Sequence, residues 1–246
     1  EHWLLKDYIK SGASGILSNH FSLDDNTFLD ERYVREIKAT TPKGMFYDRG
    51  VKGLWVSGDG VVYPQFDRQK HSITADQARR INFDRIIAGV DWGWEHYGAI
   101  VVIGVKGRSY CVIEEDATKH RYINRWIEAA KGMIARYGNI PFYCDPARPE
   151  HIAAFQKAGI RAYFGNNRVL SGIEAVATLM QNDLFQIVYD ECPRFREEIF
   201  KYIWKKNSAE PLKEMDDVLC AIRYGIYSDM TVSTNPRPDK QMDQAK

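Results

Sequence analysis

The sequence predicts an α/β fold in which a mixed β-sheet, an antiparallel meander extended by parallel strands, is flanked by helices on both faces. Three β-prone apolar runs follow one another at residues 86–91, 99–105 and 109–114, and a tight Lys-Gly-Arg turn at 106–108 joins the last two. Beyond them, short apolar runs alternate with segments of helical periodicity, which is typical of βα units. Because βα crossovers place strands parallel, the two patterns together predict a mixed sheet.

The segments beyond residue 120 alternate between helix and strand. The segment 122–137 has apolar residues spaced along one helix face, and Gly138 ends it. A strand at 141–144 stops at Asp145-Pro146. The remaining predicted elements are, in order, a helix at 149–157, a strand at 160–163, a helix at 170–180, a strand at 184–188, and helices at 195–204 and 214–227.

The first 84 residues lack this regularity and are not expected to form a complete domain. They contain a helical segment at 29–39 and two β-prone runs, 53–56 and 61–63, that flank Ser-Gly-Asp-Gly at 57–60 and predict a β-hairpin. We therefore expect a preceding segment with a β-hairpin at 1–84, the main domain at 85–230, and a frayed, flexible tail at 231–246.

Composition excludes several classes of protein. The 246 residues include 34 Lys and Arg against 33 Asp and Glu, so the formal charge of +1 excludes a histone-like polycation. A hydrophobic fraction of 44% is typical of a globular chain. No apolar run approaches the roughly 20 residues of a membrane-spanning helix, so we expect a soluble protein. The start at Glu1-His2-Trp3 has neither an initiator Met nor a secretory signal, so we expect a piece of a longer polypeptide.

Several common catalytic and metal motifs are absent from the sequence. The P-loop pattern, the Gly-x-Ser-x-Gly elbow and His-x3-His spacing do not occur, which argues against ATP hydrolysis, triad hydrolases and zincins. The four cysteines form no Cys-x-x-Cys pair, so a zinc site is not favoured and a reducing compartment fits. They are Cys111, Cys144, Cys192 and Cys220.

Carboxylates stand where apolar elements end or begin. Asp91 ends the first predicted strand, Asp145 ends the fourth, and Asp216 and Asp217 lie in the first turns of the last helix. The first strand is expected to be central with the fourth parallel beside it, so both aspartates should emerge at one sheet edge. An unpaired buried charge costs several kcal/mol, so these groups need a partner or a metal. Oxygen donors of this kind suit Mg²⁺ or Mn²⁺, and two such ions roughly 4 Å apart hydrolyse phosphodiesters.

Each acidic residue alone also has an ordinary structural interpretation. Asp91 and Asp145 fit turns or helix caps, and the Asp216-Asp217 pair complements a helix dipole. Their joint placement in one topology is what favours a metal site. Asp91-Trp92-Gly93 also resembles the phosphate-binding turn of actin-like phosphotransferases, but the second half of such a protein is missing.

Four motifs together resemble the nuclease domain of the tailed-bacteriophage DNA-packaging terminase large subunit, which has an RNase H-like, or integrase-like, fold. They are Gly-Val-Asp-Trp-Gly at 89–93, Tyr-Cys-Asp-Pro-Ala at 143–147, Val-Leu-Ser-Gly-Ile at 169–173 and the nine residues 216–224. The first 84 residues resemble the end of the same proteins' ATPase domain and its linker, through His-Phe-Ser-Leu-Asp-Asp-Asn at 20–26 and Gly-Leu-Trp-Val at 53–56.

The resemblance implies an endonuclease in which Asp91, Asp145 and a residue of the last helix hold two Mg²⁺ or Mn²⁺ ions. It implies double-stranded concatemeric DNA as substrate, the terminase small subunit and the portal as partners, and the host cell cytoplasm as location. Many relatives have Asp-His in place of Asp216-Asp217 and a further Asp where this chain has Cys220. We therefore expect Asp217 to be the ligand, with Asp216 next. Arg168 is expected to match a basic position near the scissile phosphate.

Helical geometry gives the same ranking of the two aspartates. Adjacent helix residues point about 100° apart, so only one of the two can face the sheet edge squarely. Asp217 lies four residues before Ala221 and hence over the predicted apolar face, whereas Asp216 lies over its margin.

Contacts to DNA should come from local basic patches, because the net charge is small. Such patches are also often only solvated faces. Trp92, Trp94 and Tyr97 follow Asp91 directly and either shape a cleft or pack in the core. The patches are Arg68 with Lys70 and His71, Arg79-Arg80, Lys119-His120-Arg121 with Arg125, and Lys205-Lys206.

A non-catalytic DNA clamp of the same motor is the alternative function. In that case the acidic cluster would be merely structural, and an arginine bound to Asp217 in an empty cluster would favour it.

Overall fold

A mixed seven-stranded sheet forms the centre of the computed structural model, which describes residues 4–9, 15–56 and 58–234. The strands lie in the order β1-β7-β4-β3-β2-β5-β6. Strands β2, β3 and β4 form an antiparallel meander, and β5, β6 and β7 join it in parallel pairings. The strands are β1 (Ser72–Ile73), β2 (Arg85–Asp91), β3 (Gly98–Lys106), β4 (Ser109–Thr118), β5 (Phe142–Cys144), β6 (Ala162–Phe164) and β7 (Phe185–Val188).

Helices account for most of the remaining regular structure. None of those in the described residues is both long and apolar enough to cross a membrane. The α-helices are α1 (Glu31–Thr40), α2 (Met45–Gly50), α3 (Arg68–His71), α4 (Ala75–Arg79), α5 (Ile123–Tyr137), α6 (Pro149–Lys157), α7 (Val169–Gln181), α8 (Pro193–Glu198) and α9 (Asp217–Thr234).

The two faces of the sheet bury separate apolar cores. Alternation along β2 sends Ala88 and Val90 to one face and Ile87 to the other, as the period of a strand requires. Helices α5 and α6 cover the Val90 face, whereas α7, α8 and α9 cover the Ile87 face. This arrangement confirms the predicted mixed sheet with helices on both faces, including the central first strand and its parallel neighbour.

The predicted β-hairpin before residue 64 is wrong. Neither 53–56 nor 58–63 forms a strand in the described residues, and Val61 instead makes an isolated antiparallel bridge with Ile203. Val62 and Tyr63 are buried in the core of the α9 face. Burial against distant elements therefore outweighs the local turn signal. Ser57, which belongs to that turn, lies outside the described residues.

Helices α8 and α9 differ from the sequence prediction at both ends: α8 begins at Pro193 instead of 195, and α9 continues to Thr234 instead of 227. Helix α8 ends at Glu198 because Ile203 and Trp204 are taken up by bridges to Val61 and Pro211. Helix α9 begins at Asp217, three residues later than predicted, because Met215 has a φ of 54° that a right-handed helix does not allow.

The segment before residue 85 contributes to the fold of the rest. Strand β1 pairs in parallel with β7, and Phe66 is buried in the core of the α9 face. The predicted division of the chain at residue 84 stays a prediction. The predicted tail begins within α9, and its part from 235 to 246 lies outside the described residues.

Helix α9 lies directly on strand β2. A Cβ atom added to Gly89 would come within 1.9 Å of the carbonyl oxygen of Ala221 and 2.9 Å of the backbone nitrogen of Gly225. The absence of a side chain at residue 89 therefore permits the close approach. Because Asp91 is two residues beyond Gly89 and Asp217 is one helical turn before Ala221, the same contact brings the start of α9 towards the end of β2.

We expect Gly89→Ala to lower the free energy of unfolding by roughly 2–3 kcal/mol, because the new methyl group meets the backbone of α9. Urea denaturation followed by circular dichroism measures the change. The matched control is Gly132→Ala in α5, where the nearest atom is the end of the Arg136 side chain at 3.7 Å and alanine should stabilise the helix by about 0.5–1 kcal/mol. Equal stability of the two variants would contradict the close approach.

Candidate functional site

Asp91 and Asp145 emerge side by side at one edge of the sheet, as predicted. Val90 pairs with Cys144 in the parallel β2–β5 ladder, and the backbone N–H of Asp145 donates to the carbonyl oxygen of Val90 at 2.8 Å. Alternation along the two strands turns both aspartates to the face covered by α9. Asp91 is partly buried and Asp145 is 9% exposed.

Three neighbours fix the position of Asp145. The indole N–H of Trp92 donates to its backbone carbonyl at 3.0 Å. The backbone N–H of Ala147 and the hydroxyl of Tyr224 both donate to its Oδ1, each at 3.0 Å. Tyr224 belongs to the last sequence motif but received no role there, so sequence reasoning missed it. Its bond ties the carboxylate on β5 to helix α9.

The start of α9 brings further carboxylates to the same edge. Asp216 comes directly before the helix, and its backbone carbonyl accepts a bond from the N–H of Cys220 at 2.7 Å. Burial raises the pKa of Asp91 well above its ordinary value, and the charges of Asp145, Asp216 and Asp217 raise it further. The buried guanidinium of Arg223 opposes these effects.

The pKa of Asp216 is raised as well, by burial first and by the charge of Asp217 next. In the part of the chain that the structure describes, no salt bridge involves Asp91, Asp145 or Asp216. These carboxylates at the edge therefore form no direct ion pair in the described residues, and the nearby Arg223 offsets their charge only in part.

Asp217 lies in a different environment from Asp216. Its Oδ2 is 3.2 Å from Nη2 of Arg194, whose Nε also contacts Glu198 at 2.8 Å. The sequence ranked Asp217 above Asp216 from the family register and from helix geometry, and the second reason assumed that both residues lie within the helix. Because the helix begins at Asp217, that comparison of helix faces does not apply to Asp216.

Glu198 anchors the beginning of α9. It is fully buried, and its Oε2 accepts the backbone N–H groups of Val218 and Leu219 at 2.9 and 3.2 Å. Burial, reinforced by the charge of Asp217, raises the pKa of Glu198 to about 8, although these backbone bonds and Arg194 oppose the shift. Sequence reasoning missed this residue, although a glutamate on the apolar helix face of Phe195 and Ile199 was an available signal.

Arg168 lies at the rim of the site, exposed and directly before α7. The side-chain oxygen of the preceding Asn167 is 3.0 Å from the Tyr224 hydroxyl, which in turn donates to Asp145. No described residue forms a salt bridge with Arg168. A role for Arg168 near a phosphate stays a prediction.

The aromatic residues after Asp91 differ in their packing. Trp92 packs edge-to-face on Trp126 and Phe155 in the core of the Val90 face, whereas Trp94 is exposed. Several basic side chains of the predicted patches already contact other side chains. These include Arg68 on the ring of Tyr189, Arg79 with Asp76, Arg125 with Glu128 and Lys205 with Glu210.

The donor chemistry of the acidic edge fits a hard divalent cation, although the described residues contain no group of three His, Cys, Asp or Glu side chains arranged to hold a metal ion. Asp91, Asp145 and Asp216 supply only oxygen donors, which Mg²⁺ and Mn²⁺ prefer. Burial first, and then the charges of the neighbouring carboxylates, raise the pKa of Asp91. A cation at this edge would relieve the repulsion between these charges as the carboxylates draw together.

Comparison with solved structures shows the same fold in phage large terminases. The large terminase of a thermophilic bacteriophage superposes with a TM-score of 0.82 and 23% identity over 94% of this chain. The match covers 59% of that terminase, so the present chain spans less than two thirds of its length.

Isolated nuclease domains share the fold too. The P22 large terminase nuclease domain matches 71% of this chain and 94% of its own length, with a TM-score of 0.59 and 18% identity. The nuclease domain of the bacteriophage SPP1 large terminase, solved with bound Mn, matches 64% of this chain and 93% of its own length, with a TM-score of 0.55 and 21% identity. These similarities confirm the predicted RNase H-like fold. No protein-family model and no curated protein matches the chain.

We expect Asp91→Asn to raise the melting temperature in EDTA at pH 7.5. The folded-state pKa of Asp91 lies above that of the unfolded chain, so ionisation of Asp91 opposes folding at neutral pH. As the pH falls through the folded pKa, wild type becomes protonated and gains relative stability, so the advantage of the variant shrinks. Calorimetry at pH 7.5 and pH 5 tests this, with the exposed Glu36→Gln as control. A variant less stable than wild type at pH 7.5 would refute the repulsion.

Proposed function

We propose that this chain is a metal-dependent DNA endonuclease of a viral genome-packaging motor. The observation that carries the proposal is the convergence of Asp91, Asp145 and Asp216, without salt-bridge partners in the described residues, at one edge of an RNase H-like sheet. The fold shared with phage terminase nuclease domains supports it. The substrate would be double-stranded concatemeric DNA, and the small subunit and portal would be the partners in the host cell cytoplasm.

Asp91, Asp145 and Asp216 would hold one or two Mg²⁺ or Mn²⁺ ions, as the bound Mn in the SPP1 nuclease domain supports. When bound, such ions supply an activated water and stabilise the oxygen that leaves the phosphorus. Asp91 would hold the cation together with Asp145 and Asp216, beside which it lies partly buried with a raised pKa.

The other site residues would keep these carboxylates in place. Tyr224 and the N–H of Ala147 orient one oxygen of Asp145. Glu198 holds the first N–H groups of α9, and Arg194 holds Asp217 beside them. Supporting bonds of this kind reduce the freedom of a site before substrate arrives, which lowers the cost of reaching the reactive geometry.

The second candidate is a non-catalytic DNA clamp, and one observation favours it. Asp217 is paired with Arg194, as expected of a structural acidic cluster. However, among the described residues this pair leaves Asp91, Asp145 and Asp216 without a salt-bridge partner. Bringing these three carboxylates together costs free energy, and a merely structural role gives no reason for that cost. The interpretation as an enzyme therefore accounts for more of the site than the clamp does.

Digestion of plasmid DNA with Mn²⁺, Mg²⁺ or EDTA tests the proposal, and Asp91→Ala should abolish cleavage. Loss of a carboxylate that would hold the metal should lower the rate by about 10²-fold or more. Circular dichroism should show a folded variant, and the exposed Glu36→Gln serves as the active control. Residual activity above about a tenth of the wild-type rate would refute the assignment of Asp91. Failure of wild type to cut with either metal would favour the clamp.

We expect Asp216→Asn to abolish cleavage and Asp217→Asn to leave a measurable fraction, the reverse of the ranking from sequence. The reason is that Arg194 already engages Asp217, whereas no described residue forms a salt bridge with Asp216. Asp217→Asn should instead lower the melting temperature, because it weakens a partly buried ion pair. Parallel plasmid and thermal-unfolding assays separate the two effects. An active Asp216→Asn beside an inactive, fully stable Asp217→Asn would restore the sequence ranking.

A further inference from the structure

Two loops meet beside the acidic edge and expose aromatic rings. One loop, 92–97, connects β2 to β3, and the other, 119–122, connects β4 to α5. Gly98 pairs with Thr118, so both loops leave the sheet at the end where Asp91 lies. The backbone N–H of His120 donates to the carbonyl oxygen of Trp94 at 3.0 Å and holds the loops together.

The rings of Trp94, His120 and Tyr122 form one exposed cluster. The Trp94 ring lies edge-to-face with Tyr122 at 4.9 Å and with His120 at 5.6 Å between centroids. Trp94 is 38% exposed and Tyr122 is 68% exposed. Neither belongs to the apolar cores, in contrast to Trp92 two residues earlier. Core packing therefore does not explain why large aromatic side chains occur here.

Basic residues lie beside the cluster, and the acidic Glu95 of the first loop contacts Nε2 of His120 at 3.5 Å. A surface cavity of about 410 Å³ beside it is lined by Lys119, His120, Arg121 and Arg125, with Glu128 as its acidic member. Arg121 and Arg125 have carboxylate partners. No salt bridge in the described ranges involves Lys119, whose Nζ lies 5.1 Å from the centre of the Tyr97 ring. Lys119 therefore offers an uncompensated charge to an anionic ligand.

Tyr97 connects this cluster to the acidic edge. The guanidinium carbon of Arg194 lies 4.1 Å from the centre of the same ring that Lys119 approaches, and Arg194 also binds Asp217. A continuous set of contacts thus runs from Lys119 through Tyr97 and Arg194 to the start of α9. A nucleic acid strand lying across the acidic edge would bring its neighbouring nucleotides to this cluster.

We propose that the aromatic cluster binds an unpaired nucleotide of a DNA strand that reaches the acidic edge. The aromatic cluster comprises the rings of Trp94, His120 and Tyr122 together with the neighbouring Lys119. Bases inside a duplex are stacked on both neighbours, so a base with both faces free occurs where a strand is unpaired. Aromatic side chains stack on such faces, and adjacent cations contact the phosphates. This inference rests on the proposed function only in that the bound strand would be the one that is cut. The binding itself requires no metal.

Fluorescence anisotropy with labelled DNA in EDTA tests the proposal on the full chain. The probes are a single-stranded oligonucleotide and the blunt duplex of the same sequence. Trp94→Ala and Tyr122→Ala should each weaken single-strand binding by about ten- to hundredfold and leave duplex binding within about twofold. Trp94→Phe should retain part of the affinity. The matched control is Phe28→Ala, which removes a ring that is 98% exposed in another segment.

The salt dependence of the DNA affinity distinguishes binding by base stacking from binding by charge. Lys119→Ala should reduce the slope of log affinity against log salt by about 0.7 for single strands, whereas Trp94→Ala should leave that slope unchanged. Circular dichroism confirms that each variant is folded. Wild-type single-strand affinity in both Trp94→Ala and Tyr122→Ala would overturn the proposal. Equal losses for single strand and duplex would also overturn it, because they indicate a general DNA contact.

The outcome is independent of nuclease activity. All binding is measured in EDTA, where metal-dependent cleavage cannot occur. A chain that never cuts plasmid yet shows the expected single-strand losses would refute the proposed function and keep the aromatic cluster as a nucleotide site. If the chain cuts plasmid but its Trp94 and Tyr122 variants bind single strands normally, the proposed function is kept and the nucleotide site is refuted. That result would point to a protein partner for these rings.

Discussion

The direct contact of helix α9 with strand β2 is the constraint on which the rest of the structure depends. Gly89 has no side chain, so the backbone at Ala221 and Gly225 lies against the centre of the sheet. The contact fixes the height of the helix above the sheet, and the cap from Glu198 fixes where the helix begins. Together they bring Asp216 and Tyr224 to the edge that carries Asp91 and Asp145. A carboxylate cluster assembled from three elements requires such rigidity, because each charged group would otherwise move towards solvent.

Charge is distributed unequally around this edge. Arg194 contacts Glu197, Glu198 and Asp217 in one network on one side of the α9 start. Asp91, Asp145 and Asp216 stay outside that network, and the pKa of Asp91 is raised by its burial first and by the charges of the other two next. The fold thus separates acidic groups that contact Arg194 at the helix start from acidic groups without a salt-bridge partner in the described residues. Sequence alone does not distinguish the two kinds, since Asp216 and Asp217 are adjacent and chemically identical.

The sheet and its layers were predictable because their signals are local. Buried strands such as 99–105 and the amphipathic helix 122–137 are recognisable by their periodicity, and the tight turn at Gly107 fixes the meander. The hairpin prediction failed because Val61 and Val62 pair with and pack on residues about 140 positions away, which no local pattern records. Asp91 and Asp145 could be placed from strand ends, whereas the roles of Glu198, Arg194 and Tyr224 depend on packing between helices. The left-handed backbone of Met215, which delays α9, has no sequence signal such as glycine.

The pairing of β1 with β7 has a mechanical consequence. Strand β1 is the outermost strand of its side, and β7, β4 and β3 separate it from β2. Tension on the chain upstream of residue 61 would therefore be borne by the Val61–Ile203 bridge, by the buried Val62, Tyr63 and Phe66, and by the two-residue β1–β7 pairing before it reaches the strand that carries Asp91. In the proposed role on moving DNA, this attachment would let the upstream segment be pulled while the acidic edge stays unstrained.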